Sequence, residues 1–140
     1  MSADDPAPAP RAHIWYVDDD DAIVFLVRRR LQRMGFAVEG YTNAREALAA
    51  LQDPSVTVDL VVSDQNMPVM SGLEFAAAVK ALRPTLRVAL SSGVVSDELR
   101  QRAQAVGVDA LIDKGVEVET LFDTIAQLAT AGPSVSGGPG

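Results

Sequence analysis

The fold of this chain is decided by the segment Asp59-Leu-Val-Val-Ser-Asp-Gln-Asn-Met-Pro-Val-Met-Ser-Gly72. Its apolar run at 60–62 is short, mostly β-branched and bounded by polar and turn-forming residues, which is typical of a fully buried strand. Asp64 follows this run, and in an open α/β sheet ligands bind beyond the carboxyl ends of the strands. Taken alone, an Asp after a strand more often caps a turn or a helix, so a functional interpretation of Asp64 depends on the other strand ends.

Strand and helix patterns alternate along the rest of the chain. The predicted strands lie at 13–17, 36–40, 60–63, 86–91 and 108–113, and the predicted helices at about 21–34, 44–52, 72–82, 97–107 and 118–129. Strands that alternate with helices predict a parallel sheet with helices on both faces. We therefore predict an α/β fold, a flavodoxin-like, doubly wound, five-stranded parallel sheet in the order 2-1-3-4-5 with five helices.

Apolar spacing and capping residues give finer predictions for two helices. Asn43 is predicted to cap the second helix, with Glu46 as its partner in a capping box. Gly35 is predicted to stop the first helix. The helical periodicity predicts that the buried face of this first helix contains Ile23, Leu26, Val27, Leu31 and Met34.

Composition excludes several classes of function. The 140 residues carry a net charge of −7, which argues against general affinity for nucleic acid or for an anionic membrane. There is no cysteine and His13 is the only histidine, so disulfides, thiol catalysis and histidine-based metal clusters are excluded. No apolar run reaches membrane-spanning length and no signal peptide is evident, so we expect a cytoplasmic protein. Residues 1–12 and 131–140 are predicted to be disordered or flexible tails around one domain at 13–130.

Carboxylates follow the first strand as well as the third. Four aspartates stand in sequence at 18–21, and such a run is otherwise most often a solvated face. In the predicted sheet the first and third strands are neighbours, so Asp18, Asp19 and Asp64 can converge. Converging carboxylates without thiols or histidines favour a hard, oxygen-ligated cation, Mg²⁺ or Mn²⁺.

A hydroxyl and an ammonium group follow the last two strands. Ser91 ends the fourth strand and Lys114 follows the fifth, and together they can bind an anion at the same edge. Either residue alone is ordinary surface chemistry. In combination with the acidic residues they predict phosphoryl transfer to a carboxylate, with Asp64 as the nucleophile. Lys114 and the cation would spread the charge of the transition state.

This pattern resembles the receiver domain of bacterial response regulators, and the resemblance covers residues 13–130. The blocks that carry it are Val17-Asp18-Asp19, Val62-Ser63-Asp64-Gln65-Asn66-Met67-Pro68, Gly72-Leu73-Glu74, Leu90-Ser91-Ser92 and Asp113-Lys114. The resemblance implies that Asp18, Asp19, Asp64 and the backbone carbonyl of Asn66 hold Mg²⁺. It also implies that Asp64 accepts a phosphoryl group from a phosphohistidine on a histidine kinase or histidine phosphotransfer protein.

The resemblance assigns further roles around the acceptor. Ser91 is implied to be the switch hydroxyl, and Lys114 is implied to pair with Asp64 or its phosphate. The Asn66 side chain and the position of Gly93 are implied to flank the site and affect hydrolysis. The chain would signal by conformational change to an output protein that the sequence does not name.

Three positions depart from the family pattern. Gly115 replaces a proline that usually follows the lysine, so the loop carrying Lys114 is expected to be looser. Leu111 occupies the place of an aromatic switch residue, which puts the usual aromatic coupling in doubt. Ser71 stands where an Asp is frequent, and we expect little effect.

Alternatives to a stand-alone regulator remain open. The chain could be the receiver module of a hybrid histidine kinase, or a metal-free pseudo-receiver that binds proteins. A carboxylate-nucleophile phosphatase would have the same fold class but generally needs a second Asp two residues after the nucleophile, where this chain has Asn66. We therefore expect a phosphoacceptor that assists its own phosphorylation and dephosphorylation, and not a conventional enzyme.

Overall fold

The structure is a computed structural model that describes residues 11–131. In chain order its elements are β1 (His13–Val17), α1 (Asp21–Arg33), β2 (Ala37–Tyr41), α2 (Ala44–Leu51), β3 (Leu60–Asp64), α3 (Gly72–Leu82), β4 (Arg87–Ser92), α4 (Asp97–Val106), β5 (Ala110–Asp113) and α5 (Val118–Ala129). The strands form one parallel sheet in the order β2-β1-β3-β4-β5, which confirms the predicted flavodoxin-like fold. Among the described helices, none has both the length and the apolar character needed to cross a bilayer.

The predicted tails lie almost entirely outside the described residues. At the border of the N-terminal one, the Arg11 N–H donates to the Gly35 carbonyl at 2.9 Å, and the Ala37 N–H donates to the Ala12 carbonyl at 3.0 Å. Ala12 is also buried. These contacts attach residues 11 and 12 to the folded region, immediately before β1 begins.

The sheet separates two apolar layers, because side chains alternate between its faces along each strand. In β1, Ile14 and Tyr16 belong to one layer, and Trp15 and Val17 belong to the other. Helices α1 and α5 complete the first layer, and α2, α3 and α4 complete the second. Residues 60–62 of β3 are fully buried, so this central strand is covered on both faces, as the sequence predicts.

The buried face of α1 differs from the prediction in its first half, whereas the predicted Val27, Leu31 and Met34 do pack into the first layer. Ile23 is 38% exposed and Leu26 is 64% exposed, whereas Val24 is buried together with the predicted Leu31. The cause is that residues 23–27 are all apolar, so periodicity alone does not fix the rotation of the helix. Packing onto β2 fixes it instead, because Val24 lies directly against the backbone of Gly40.

The helix caps set the positions of the loops at the carboxyl edge. The Asp20 side chain accepts hydrogen bonds from the N–H groups of Ala22 and Ile23 and so caps α1. The Asn43 half of the predicted cap of α2 is present, and a complete capping box joins Ser71 to Glu74 at the start of α3.

Strand boundaries shift by one or two residues from the prediction. β2 and β4 begin one residue later than predicted and β5 begins two residues later. β3 extends one residue further, so Asp64 is the last residue of the strand rather than the first residue of a loop. The acceptor candidate is therefore held by the sheet itself.

Candidate functional site

Three predicted acidic residues lie together at the carboxyl edge of the sheet. One carboxylate oxygen from each of Asp18, Asp19 and Asp64 lies within 4.8 Å of the others. The strands β1 and β3 are adjacent and Val17 pairs with Ser63. The next residues along the two chains, Asp18 and Asp64, therefore lie side by side at the edge of the sheet. Asp18 is 1% exposed and Asp64 is 5% exposed, whereas Asp19 faces solvent. Two of the three carboxylates have thus been removed from water next to each other.

Lys114 reaches Asp64 from the end of β5. Its Nζ lies 2.9 Å from Asp64 Oδ1, and the side chains are 38% and 7% exposed respectively. The Lys114 N–H donates to the Ser92 carbonyl at 2.9 Å, which fixes the start of the loop that carries the ammonium group. One cation therefore faces three carboxylates, and the cluster keeps a surplus of negative charge.

The Asp18 carboxylate is engaged at both oxygens. Its Oδ1 accepts from the Asp20 N–H at 3.0 Å, and its Oδ2 accepts from the Tyr16 hydroxyl at 3.2 Å. Burial raises the pKa of Asp18, and the neighbouring Asp64 carboxylate adds to this, against the opposing effects of the Asp20 N–H, Lys114 and the Tyr16 hydroxyl. Burial therefore disfavours the charged form of Asp18.

Ser91 lies beside the acceptor on β4. The two strands pair in register with Asp64 opposite Ser91, and Ser91 is buried at 4% exposure. The Gln65 N–H donates to the Ser91 carbonyl at 2.9 Å, so the backbone hydrogen bonds between β3 and β4 continue one residue past Asp64. The neighbouring Ser92 hydroxyl is used locally, since it donates to the Val94 carbonyl at 2.8 Å. The Ser92 hydroxyl is thus engaged within its own loop, and the role of Ser91 as the switch hydroxyl stays a prediction.

Asn66 and Gly93 lie on the two loops that border the cluster. The Asn66 N–H donates a long hydrogen bond of 3.4 Å to Asp64 Oδ1, and the Asn66 side chain is exposed. Its carbonyl as a metal ligand stays a prediction. Gly93 is exposed, and a Cβ built on it would meet no heavy atom within 4 Å. The site is therefore open to solvent on this side.

The loop after β5 is held without a proline. The Asp113 carboxylate accepts from the Gly115 N–H at 2.7 Å, an Asx turn that encloses Lys114. The peptide bonds of this loop are trans. Asp113 thus restrains a loop that Gly115 alone would leave loose. Leu111, in place of an aromatic residue, is half-buried against the second apolar layer.

Sequence reasoning missed two features that shape the site. Burial and the Asp18 carboxylate raise the pKa of Tyr16, so its hydroxyl keeps its proton and acts as a donor. The i, i+2 spacing of the two residues predicts that both side chains leave the chain on the same face, but it does not predict the hydrogen bond itself. Gly72 is the second feature, because a Cβ there would lie 2.6 Å from the Asp64 carbonyl oxygen. Only glycine lets α3 begin so close to the acceptor strand.

Comparisons with known proteins agree with this geometry. A family model described as the response regulator receiver domain matches residues 14–126. Ethylene receptor 2 of Oryza sativa subsp. japonica is 29% identical over 126 residues, which is 85% of this chain and 16% of the receptor. Transcriptional regulatory protein GlrR of Escherichia coli is 30% identical over 116 residues, which is 81% of this chain and 25% of GlrR. The chain thus spans a quarter or less of the length of these curated relatives.

Two solved structures match over nearly their full length. The chemotaxis protein CheY4 of Vibrio cholerae is 34% identical with a TM-score of 0.76, covering 84% of this chain and 98% of CheY4. A CheY-like receiver domain protein from Methanospirillum hungatei is 30% identical with a TM-score of 0.75, covering 83% of this chain and 91% of that protein. Since the family match runs from β1 into α5, it applies to the whole folded region, and the chain belongs to the response regulator receiver domain family.

Proposed function

We propose that this chain accepts a phosphoryl group on Asp64 from the phosphohistidine of a histidine kinase or a histidine phosphotransfer protein, and signals by a change of conformation. One observation carries the proposal. The buried Asp64 carboxylate lies at once 2.9 Å from the Lys114 ammonium group and within 4.8 Å of the Asp18 and Asp19 carboxylates. A purely structural ion pair does not need two further carboxylates beside it. We also propose that the protein is located in the cytoplasm.

The chemistry requires little of the protein beyond position and charge. A carboxylate oxygen of Asp64 attacks phosphorus, the P–N bond of the phosphohistidine breaks, and the leaving imidazole nitrogen takes a proton from water. The product is an acyl phosphate on Asp64. An ionised carboxylate is already a nucleophile, so no general base is needed. Lys114 is in place to offset the charge of the phosphoryl oxygens in a loose transition state.

The acidic cluster fits a divalent cation. Its donors are all oxygen and two of its three carboxylates are buried, and burial together with the neighbouring Asp64 carboxylate raises the pKa of Asp18. Such a donor set suits Mg²⁺, and Mn²⁺ as a substitute. We assign the ligands to Asp18, Asp19, Asp64 and the Asn66 carbonyl. When bound, the ion would neutralise phosphoryl oxygens.

Ser91 is proposed to report the phosphoryl group to the rest of the fold. Its position opposite Asp64 in the sheet register supports this, because new acceptor oxygens on Asp64 would attract its hydroxyl. An inward movement of Ser91 would change the packing near Leu111, which pairs with Leu90 on the neighbouring strand. Because a leucine replaces the aromatic residue there, we expect a smaller rearrangement of β5 than an aromatic side chain would give.

A second candidate is a receiver module that works within a longer kinase relay. The observation that favours it is the match to ethylene receptor 2, in which the matching part is only 16% of the length. In that case the same residues would perform the same transfer, and the donor would be a phosphohistidine of the relay. The two candidates differ in partner and not in chemistry.

Phosphorylation by a small donor tests the proposal directly. Acetyl phosphate with Mg²⁺ should add one phosphoryl group to the wild type, and the group should be labile in base, as an acyl phosphate is. Asp64→Asn should abolish the uptake, because an amide is a poor nucleophile. Asp123→Asn, an exposed change on α5, is the matched control and should behave as the wild type. Intact-mass spectrometry measures the uptake and peptide mapping locates it. Uptake by Asp64→Asn at the wild-type rate would exclude Asp64 as the acceptor, and absence of uptake by the wild type would favour a metal-free pseudo-receiver.

A further inference from the structure

Tyr16 brings a hydroxyl group to the acidic cluster from within the core. Its ring is 5% exposed and belongs to the apolar layer beneath α1 and α5. Tyr16 and Asp18 are two residues apart along the direction of β1, so their side chains leave the chain on the same side. The hydroxyl therefore meets Asp18 Oδ2, at 3.2 Å.

Hydrogen bonds at both oxygens hold the Asp18 carboxylate in one orientation. The Asp20 N–H holds Oδ1 and belongs to the turn that leads into α1, whereas the Tyr16 hydroxyl holds Oδ2 and belongs to the core. Asp18 is 1% exposed, so water cannot readily replace either donor. Loss of one donor would leave the carboxylate free to rotate about its terminal torsion, which is a soft one.

We propose that Tyr16 is a positioning residue of the cation site, whose hydroxyl fixes the Asp18 carboxylate in the orientation that binds Mg²⁺. The inference rests on the proposed function, because it takes the acidic cluster to be a cation site. Hydrogen bonds to ligating groups orient those groups, and their loss typically weakens metal binding by about 10–100-fold.

The chemistry of the tyrosine itself supports this assignment. Phenylalanine would fill the same space in the apolar layer, and a buried hydroxyl is costly unless it is paired. The hydroxyl of Tyr16 is paired with a carboxylate, and an ionised carboxylate can only accept. The phenol and the acid thus form a donor–acceptor pair with a defined direction, and its acceptor is a proposed cation ligand.

Removal of the hydroxyl tests the proposal. Tyr16→Phe keeps the ring and deletes the donor, and Tyr41→Phe is the matched control, because Tyr41 packs its ring on Trp15 at a centroid distance of 4.8 Å. Isothermal titration calorimetry with Mg²⁺, repeated with Mn²⁺, gives the dissociation constants, and a thermal melt shows whether each variant is folded. We expect Tyr16→Phe to raise the dissociation constant about tenfold or more. We expect Tyr41→Phe to stay within about twofold of the wild type.

A coupled variant separates positioning from a general loss of structure. If Tyr16 acts through Asp18, then Tyr16→Phe should have no further effect on cation affinity in an Asp18→Asn background. Equal effects of Tyr16→Phe in both backgrounds would overturn the proposal, as would an unchanged or lowered dissociation constant in the single variant. A wild type that binds no Mg²⁺ would overturn the cation site as well, whereas a wild type that binds it normally would confine the failure to Tyr16.

A measurement that leaves Tyr16 intact covers the case in which Tyr16→Phe does not fold. In Tyr41→Phe the only remaining tyrosine is Tyr16. Labelling with tyrosine that carries ¹³C at Cζ then gives one phenol resonance, which is sensitive to the hydrogen bond of the hydroxyl. We expect this resonance to shift as Mg²⁺ is added, with the midpoint found by calorimetry. A resonance that does not move at saturating Mg²⁺ would show that the hydroxyl is not coupled to the site.

Discussion

Two lysine–aspartate pairs lie at opposite edges of the same sheet. At the carboxyl edge, Lys114 Nζ lies 2.9 Å from Asp64 Oδ1, and at the amino edge, Lys80 Nζ lies 2.9 Å from Asp109 Oδ2. Both carboxylates are buried, with side-chain exposures of 7% and 4%. Chemical type, distance and burial of the acid therefore do not distinguish the two pairs.

Their surroundings do distinguish them. Asp109 Oδ2 also accepts from the Val88 N–H at 2.8 Å, so the carboxylate joins α3 to the start of β4 and β5. Lys80 is itself only 10% exposed. At the other edge the Lys114 side chain is 38% exposed, and Asp64 has two more carboxylates within 4.8 Å. The amino-edge pair thus links elements of the fold, whereas the carboxyl-edge pair combines a partly solvated ammonium group with two additional carboxylates.

The largest effect should come from the amino-edge pair. Lys80→Met removes the ammonium group that lies 2.9 Å from the buried Asp109, and loss of one partner of a buried pair typically costs about 3–5 kcal/mol in the free energy of unfolding. Lys114→Met, measured in Mg²⁺, should cost about 1 kcal/mol or less, because its ammonium is partly solvated and a bound cation can take over its charge. Urea denaturation measures both. A larger loss in Lys114→Met would remove the distinction drawn between the pairs.

A cation should stabilise only the carboxyl-edge cluster. Mg²⁺ at about 100 times its dissociation constant should add about 2.7 kcal/mol to the free energy of unfolding of the wild type. Asp19→Asn should lose most of this gain, because a charged ligand becomes neutral, whereas Asp59→Asn, at the amino edge, should keep it. Thermal melts with and without Mg²⁺ measure the gain. Equal gains in Asp19→Asn and the wild type would refute the ligand assignment.

The buried negative charge of Asp18 should make the metal-free protein less stable. Because burial raises the pKa of Asp18 in the folded state, the folded protein binds a proton there more readily than the unfolded chain. The contribution of Asp18 to stability therefore falls as the pH rises from the ordinary pKa of an aspartate through the raised value, and it stays low above that. We expect Asp18→Asn to be more stable than the wild type at neutral pH without Mg²⁺, and the difference to narrow in acid. Denaturation at several pH values in a chelating buffer tests this, and a less stable Asp18→Asn at neutral pH would contradict it.

The smallest effect concerns how each lysine is held. Lys80 stands on the regular helix α3, whereas Lys114 stands on a loop restrained by the hydrogen bond from Gly115 to Asp113. Asp113→Ala should remove this restraint and cost about 1 kcal/mol or less, because Asp113 is exposed. It should also slow phosphorylation of Asp64 by about twofold to fivefold, a change of 1 kcal/mol or less in the barrier. Single-turnover labelling with acetyl phosphate measures the rate, and an unchanged rate would show that the turn does not position Lys114.

The sequence predicted the site well where topology alone decides it. Parallel strands all end at one edge, so the chain positions of Asp18 and Asp64 at neighbouring strand ends predicted that they converge, whereas the pairing of Lys114 with Asp64 was implied by the family resemblance. Buried strands such as β3 are recognisable from their apolar runs. The alternation of strands and helices along the chain was therefore predictable from the sequence. None of these predictions required the position of a side-chain atom.

Features that depend on packing at the level of single atoms were not predictable. The rotation of α1 is set by the contact of Val24 with Gly40, and residues 23–27 are all apolar in sequence. The Tyr16 hydrogen bond to Asp18 requires the depth of the ring in the core, and alternation alone does not give that depth. The need for Gly72 follows from a distance of 2.6 Å to a backbone oxygen, which only the folded chain defines.

The open space at Gly93 has a practical consequence. A Cβ built at this position would meet no heavy atom within 4 Å apart from its chain neighbours, and the chain contains no cysteine. Gly93→Cys would therefore give a single thiol next to Ser92, to which a fluorophore or a nitroxide could be attached without competing labelling. Such a probe would stand two residues from Ser91, on the loop that follows the proposed switch. Cation binding and phosphoryl transfer could then be followed in real time, in a protein whose native tryptophan, Trp15, lies buried on the far side of the sheet from Asp18.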